Sequence, residues 1–143
     1  MDVDLNLISL EIYFNSTNQL AIWSKLAKEA GFDVIEIYKV DIKIESYATA
    51  LQRIISILNI AGIKTINDLD IILSGEIGSA RDYLKLYYDQ SLYKIGNIAP
   101  PLTIIIIFLI HFFREQLTNQ DLIRIGFSKS AIEIINEVWE GTT

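Results

Sequence analysis

A chain of 143 residues, 51% hydrophobic and 21% charged, is long enough for one packed domain and too apolar to stay disordered. Its net charge of −6 sets an acidic surface against phosphate backbones, which argues against nucleic acid as a partner. The absence of cysteine removes disulfides, thiolate metal sites and thiol redox chemistry, and the single histidine, His111, is too little for an imidazole metal site, so no cofactor is expected.

The opening MDVDLNLISL has no basic stretch before its apolar residues, which argues against a signal peptide and for a cytoplasmic protein. Residues Val3 to Phe14 alternate apolar and polar side chains with one slip at Leu7-Ile8, and period two predicts a half-buried strand. Asn15-Ser16-Thr17-Asn18 breaks that pattern. Leu20, Trp23, Leu26, Ala27 and Ala30 then follow at helical spacing, and Gly31 closes the predicted helix. From Phe32 to Glu45, β-branched residues interleaved with charges predict a second strand. Tyr47 to Ile60 returns to helix, with Ala50, Leu51, Ile54, Ile55 and Leu58 on one face and Gly62 beyond its end. Leu69–Leu73 predicts a short third strand, Ser74-Gly75 a turn, and Glu76-Ile77 the stub of a fourth. A third helix is predicted from Ser79 to Tyr93.

Pro100-Pro101 marks a boundary, because the residue before a proline leaves the helical region. Beyond it lie an apolar helix, Leu102–Leu117, and a second helical piece, Thr118 to Glu140. The apolar core of the first, Leu102 to Phe113, is about 12 residues against the roughly 20 needed to span a bilayer, so a buried helix is expected rather than a membrane span. The expected organisation is an α/β domain over residues 1–97 and a helical extension over 100–143.

The order β-α-β-α-β-β-α over about residues 5–95 resembles the thioredoxin and glutaredoxin families. Ile12-Tyr13-Phe14 falls where those families end their first strand. Gly62-Ile63-Lys64-Thr65-Ile66-Asn67 is similar to their Gly-x-x-Thr-Val-Pro stretch, and Ile71 to Gly78 to their hairpin. The resemblance implies a thioredoxin-like core. It would place the family's Cys-x-x-Cys at Asn18-Gln19-Leu20-Ala21 and its cis-proline at Asn67. Neither the thiols nor the proline is present, so disulfide exchange, which needs a thiolate, is excluded. A corner of Asn18, Gln19 and Asn67 at a helix N-terminus remains as a candidate ligand site.

Other chemistry is weaker. His111 sits in an apolar run and is expected in a core or interface. Asp68 and Asp70, at the start of the predicted third strand, share a face there, but that position is expected to be solvated and not catalytic. Tyr83, Tyr87, Tyr88 and Tyr93 make an aromatic stripe that fits core plus a partner surface. Residues 118–140 resemble a helix-turn-helix with its turn at Gly126, in which Arg124 and Lys129 would face DNA, but Glu133, Glu137 and Glu140 oppose that role. The leading expectation is a non-catalytic interaction or assembly module, a homodimer or a complex with a protein partner. Its interface would form around Leu102, Ile105, Phe108, Leu109, Phe112 and Trp139. The alternative is a small DNA-binding regulator.

Overall fold

A computed structural model describes residues 3–32, 44–89 and 101–142. They form eight helices: α1 (Leu7–Ser16), α2 (Gln19–Glu29), α3 (Ile44–Ile60), α4 (Ile66–Gly75), α5 (Ile77–Asp89), α6 (Pro101–Phe112), α7 (Asn119–Ile125) and α8 (Lys129–Thr142). Among the described residues the only β pairing is an isolated antiparallel bridge between Asp4 and Thr65. The expected α/β class and the thioredoxin-like core are therefore overturned: the fold is a helical bundle.

The predicted first strand is α1. Asn6 starts it with a capping box, its side-chain oxygen accepting from the Ser9 N–H at 2.9 Å while Ser9 Oγ accepts from the Asn6 N–H at 2.9 Å. Leu10, Tyr13 and Phe14 are then buried at helical spacing. The slip at Leu7-Ile8 was the point where the period changed from two to 3.6, and only Val3 to Leu5 remain extended, held by Leu5 N–H to Lys64 O (2.8 Å) and Ile66 N–H to Val3 O (2.9 Å).

The predicted third strand is α4. Thr65 caps it by accepting from the Asp68 N–H at 3.2 Å, and Leu69 and Leu73, one turn apart, are its buried side. The predicted turn at Ser74-Gly75 forms the last two residues of α4. Glu76 is its cap, and the predicted strand stub at Ile77 opens α5. Of the predicted second strand, residues 33–43 lie outside the described residues, while Ile44 and Glu45 belong to α3.

α6 is the axis of the bundle. Pro101 occupies its first position, where the missing N–H is not needed and the fixed φ suits a helix. From Leu102 to His111 every residue except Thr103 is buried. A helix apolar on all sides must be covered on all sides. α2, α3 and α5 pack directly against it, with the Trp23 ring of α2 5.0 Å from that of Phe108. α1 rests on α3 and α4, and the α7–α8 pair closes the opposite flank through α3 and α5. Among the described residues no helix is long and apolar enough to cross a membrane.

The α7–α8 connection forms as a tight turn. Thr118 and Asp121 make a second capping box at the start of α7. Gly126 ends α7 at φ +111°, in the left-handed region, and the following Phe127 N–H reaches back to Leu122 O at 3.1 Å. Arg53 of α3 ties the turn down, donating from Nη2 to Gly126 O at 3.4 Å and standing 5.3 Å over the Phe127 ring.

Candidate functional site

The expected corner of Asn18, Gln19 and Asn67 is spread along α4. Gln19 is buried and donates from Nε2 to Ser74 Oγ at 3.0 Å, at the C-terminal end of that helix. Asn67 is exposed in its first turn, seven residues and about 10 Å of helix rise away. Asn18 precedes α2 but makes no side-chain capping bond. It lines a different feature instead.

That feature is an open pocket of about 370 Å³ between α1, the α1–α2 connection and the start of α3. Its lining is Glu11, Phe14, Asn15, Thr17, Asn18, Leu20, Ala21 and Tyr47. Phe14 and Leu20 are buried and form an apolar floor, while Glu11, Asn15 and Asn18 are exposed around it. Among the described residues the lining carries one carboxylate and no cation. The Tyr47 hydroxyl is enclosed without a hydrogen-bond partner. Burial, and secondarily the charge of Glu11, push its pKa up, so it remains a neutral phenol. Glu11, Asn15 and Tyr47 did not stand out in the sequence. The available signal was the i, i+4 pairing of Glu11 and Asn15, which a strand assignment hides.

The remaining polar candidates have structural employment. His111 is 4% exposed and its ring lies 3.7 Å, centroid to centroid, from that of Tyr83. Burial, helped by the nearby Arg114 charge, lowers its pKa to about 4, so the ring is neutral near pH 7. Asp68 accepts from Thr65 Oγ1 at 2.9 Å, whereas Asp70 accepts from the Tyr13 hydroxyl at 2.7 Å. On a helix, residues two apart diverge, so these two carboxylates do not form a pair. Of the tyrosine stripe, Tyr83 packs on His111; the side chains of Tyr87, Tyr88 and Tyr93 lie outside the described residues. Among the described residues no three His, Cys, Asp or Glu side chains gather as a metal site would require.

Leu102, Ile105, Phe108 and Leu109 are fully buried inside the chain's own bundle, while Trp139 is half-buried and Phe112, at the end of α6, is exposed. The apolar helix thus finds its cover within the chain. On the α7–α8 hairpin, Arg124 is exposed and stands 3.9 Å from Asp121. The exposed side of α8 carries Lys129 with Glu133, Glu137 and Glu140.

A second surface feature lies on α1 and α4. Ile8 and Ile12, one turn apart on α1, are 72% and 60% exposed, and Ile71 of α4 is 60% exposed. The Tyr13–Asp70 bond joins these two helices. Ile12 and Ile71 are the residues next to its two ends, and both turn outward. Compared with protein families, characterised proteins and solved structures, the chain matches none.

Proposed function

We propose that this chain is a cytoplasmic, non-catalytic interaction or assembly module, whose contact face is the outer side of α1 and α4. The observation that carries the reading is the exposure of Ile8, Ile12 and Ile71. Isoleucine gains nothing from water, and strongly exposed apolar side chains on two helices that pack together suit a place where another protein is met. The helix caps and the buried faces of α1 and α4 are complete without these three residues, so the fold does not account for them. A second copy of the chain is the partner to test first, because a self-complementary apolar face closes a two-fold dimer.

Light scattering across micromolar concentrations tests this directly. The expected result is a concentration-dependent dimer that Ile12→Glu combined with Ile71→Glu converts to monomer, with unchanged helical circular dichroism. A wild-type monomer throughout that range, with the same behaviour in the double variant, would remove the self-association.

A second reading, duplex DNA binding through α7 and α8, draws on the tight turn at Gly126 between the two helices. The three glutamates beside Lys129 weigh against it, since a groove-facing helix needs donors for phosphates and bases. It predicts salt-sensitive binding weakened by Lys129→Glu, and no binding to any duplex at low salt would remove it.

A further inference from the structure

We propose that the pocket between α1, α2 and α3 is a binding site for an alkylammonium group, the cationic end of a short aliphatic chain. Three observations converge on this chemistry. The first is shape: a pocket of about 370 Å³ is large enough for a small aliphatic ligand, and it is open on one side. The second is its polarity, which is one-signed. Glu11 supplies a full negative charge, Asn15 and Asn18 can turn their amide oxygens inward, and among the described residues no lysine or arginine lines the space. An ammonium has three donors and no acceptor, so it matches this set, whereas a carboxylate or phosphate would meet Glu11 as a like charge. The third is the floor. Phe14 offers an aromatic ring, which attracts a cation through its face, while Leu20 and Ala21 suit a methylene stem.

The lining is also unspent. Among the described residues Glu11 has neither a hydrogen-bond nor an ion-pair partner, and the enclosed Tyr47 hydroxyl has none. Of the other polar groups, Ser9 is held in the capping box and Tyr13 by Asp70, and within the lining Thr17 Oγ1 donates to Tyr13 O at 2.9 Å. Glu11 acts as the counter-charge, and Phe14 with Leu20 sets the depth to which the stem enters.

An ammonium of this kind occurs both on free amines and on lysine side chains, and the test separates the two. Uniformly labelled full-length protein is titrated with n-butylammonium, butyrate and butanol near pH 7 and followed by backbone amide shifts. The expected result is saturable binding of butylammonium in the millimolar range, with shifts centred on residues 11–21 and 47. Butanol should bind at least several-fold more weakly, and butyrate should not saturate. Glu11→Gln, a change at an exposed side chain, should weaken butylammonium at least tenfold while leaving the rest of the spectrum in place.

A second arm compares 1,4-diaminobutane with an acetylated, amidated lysine tripeptide. Tighter binding of the peptide assigns the pocket to a basic side chain of a partner, and tighter binding of the diamine assigns it to a free amine. No saturable binding of butylammonium, equal binding of butanol, or identical affinity in Glu11→Gln would each overturn the site. None of these outcomes depends on whether the isoleucine face of α1 and α4 makes a dimer.

Discussion

His111 makes the stability of this fold depend on pH in a window where most side chains are silent. Its ring titrates at about 4 in the folded chain and near 6.5 when exposed, because burial disfavours the imidazolium and Arg114 repels it. The unfolded chain therefore takes up the proton first. Stability is intact above pH 6.5, drains away as pH falls toward about 4, and stops falling on this account once both states are protonated. From these two values, the loss between pH 7 and pH 5 is about 2 kcal/mol. That is a large share of the roughly 5–15 kcal/mol that holds a domain together.

Urea unfolding followed by circular dichroism at the two pH values measures this loss. His111→Phe keeps an aromatic ring against Tyr83 and removes the titration. Its absolute stability is not the readout; its change with pH is. The variant should lose about 2 kcal/mol less than the wild type between pH 7 and pH 5. Asp121, held below its usual range chiefly by the Thr118 backbone N–H and hydroxyl, titrates below this window and acts equally on both proteins. Equal losses in wild type and variant would show that the ring is not held neutral by burial, and the reasoning would fall.

Other substitutions probe the packing. Trp23 is fully buried against Phe108, so Trp23→Ala should cost about 3–5 kcal/mol in chemical unfolding, the range for emptying a core aromatic site. Trp23→Phe should cost much less, since the indole N–H has no partner to lose. Gly126→Ala forces a side chain into the left-handed region and should lower stability by about 1 kcal/mol, seen as a reduced thermal midpoint. Tyr13→Phe removes the bond to Asp70 and should cost about 1.5 kcal/mol; an unchanged midpoint would mean that water replaces the tyrosine at no loss.

The parts of this fold that could be read from the sequence are those with both a periodic face and a stop signal. The helix from Gln19 to Gly31 shows Leu20, Trp23, Leu26 and Ala27 on one side, and its glycine lies at positive φ where the reading placed the end. The helix before Gly62 and the pair around Gly126 are legible for the same reason. The failures lie where isoleucine dominates. It favours strands by its branched side chain, yet this preference is weak and packing overrides it. In Ile8 to Phe14 and in Leu69 to Leu73 both periods can be traced. The decisive signals were the small polar caps, Asn6 with Ser9 and Thr65 with Asp68. The pocket was not legible, because it needs Tyr47 brought beside Glu11 from 36 positions away in the chain.

The position of α6 in the chain has a consequence for synthesis. α1 through α5 are synthesised before any residue of the helix on which α2, α3 and α5 pack. Trp23, Leu51, Ile54 and Leu84 then have no axis to close upon, and their apolar sides stay open until Pro101 to Phe112 emerges. Completion of the core therefore waits for the last third of the chain. A fragment ending at residue 97 should remain loosely ordered and bind an apolar dye, while the full chain does not. A cooperatively folded fragment would show that the five earlier helices form their own core.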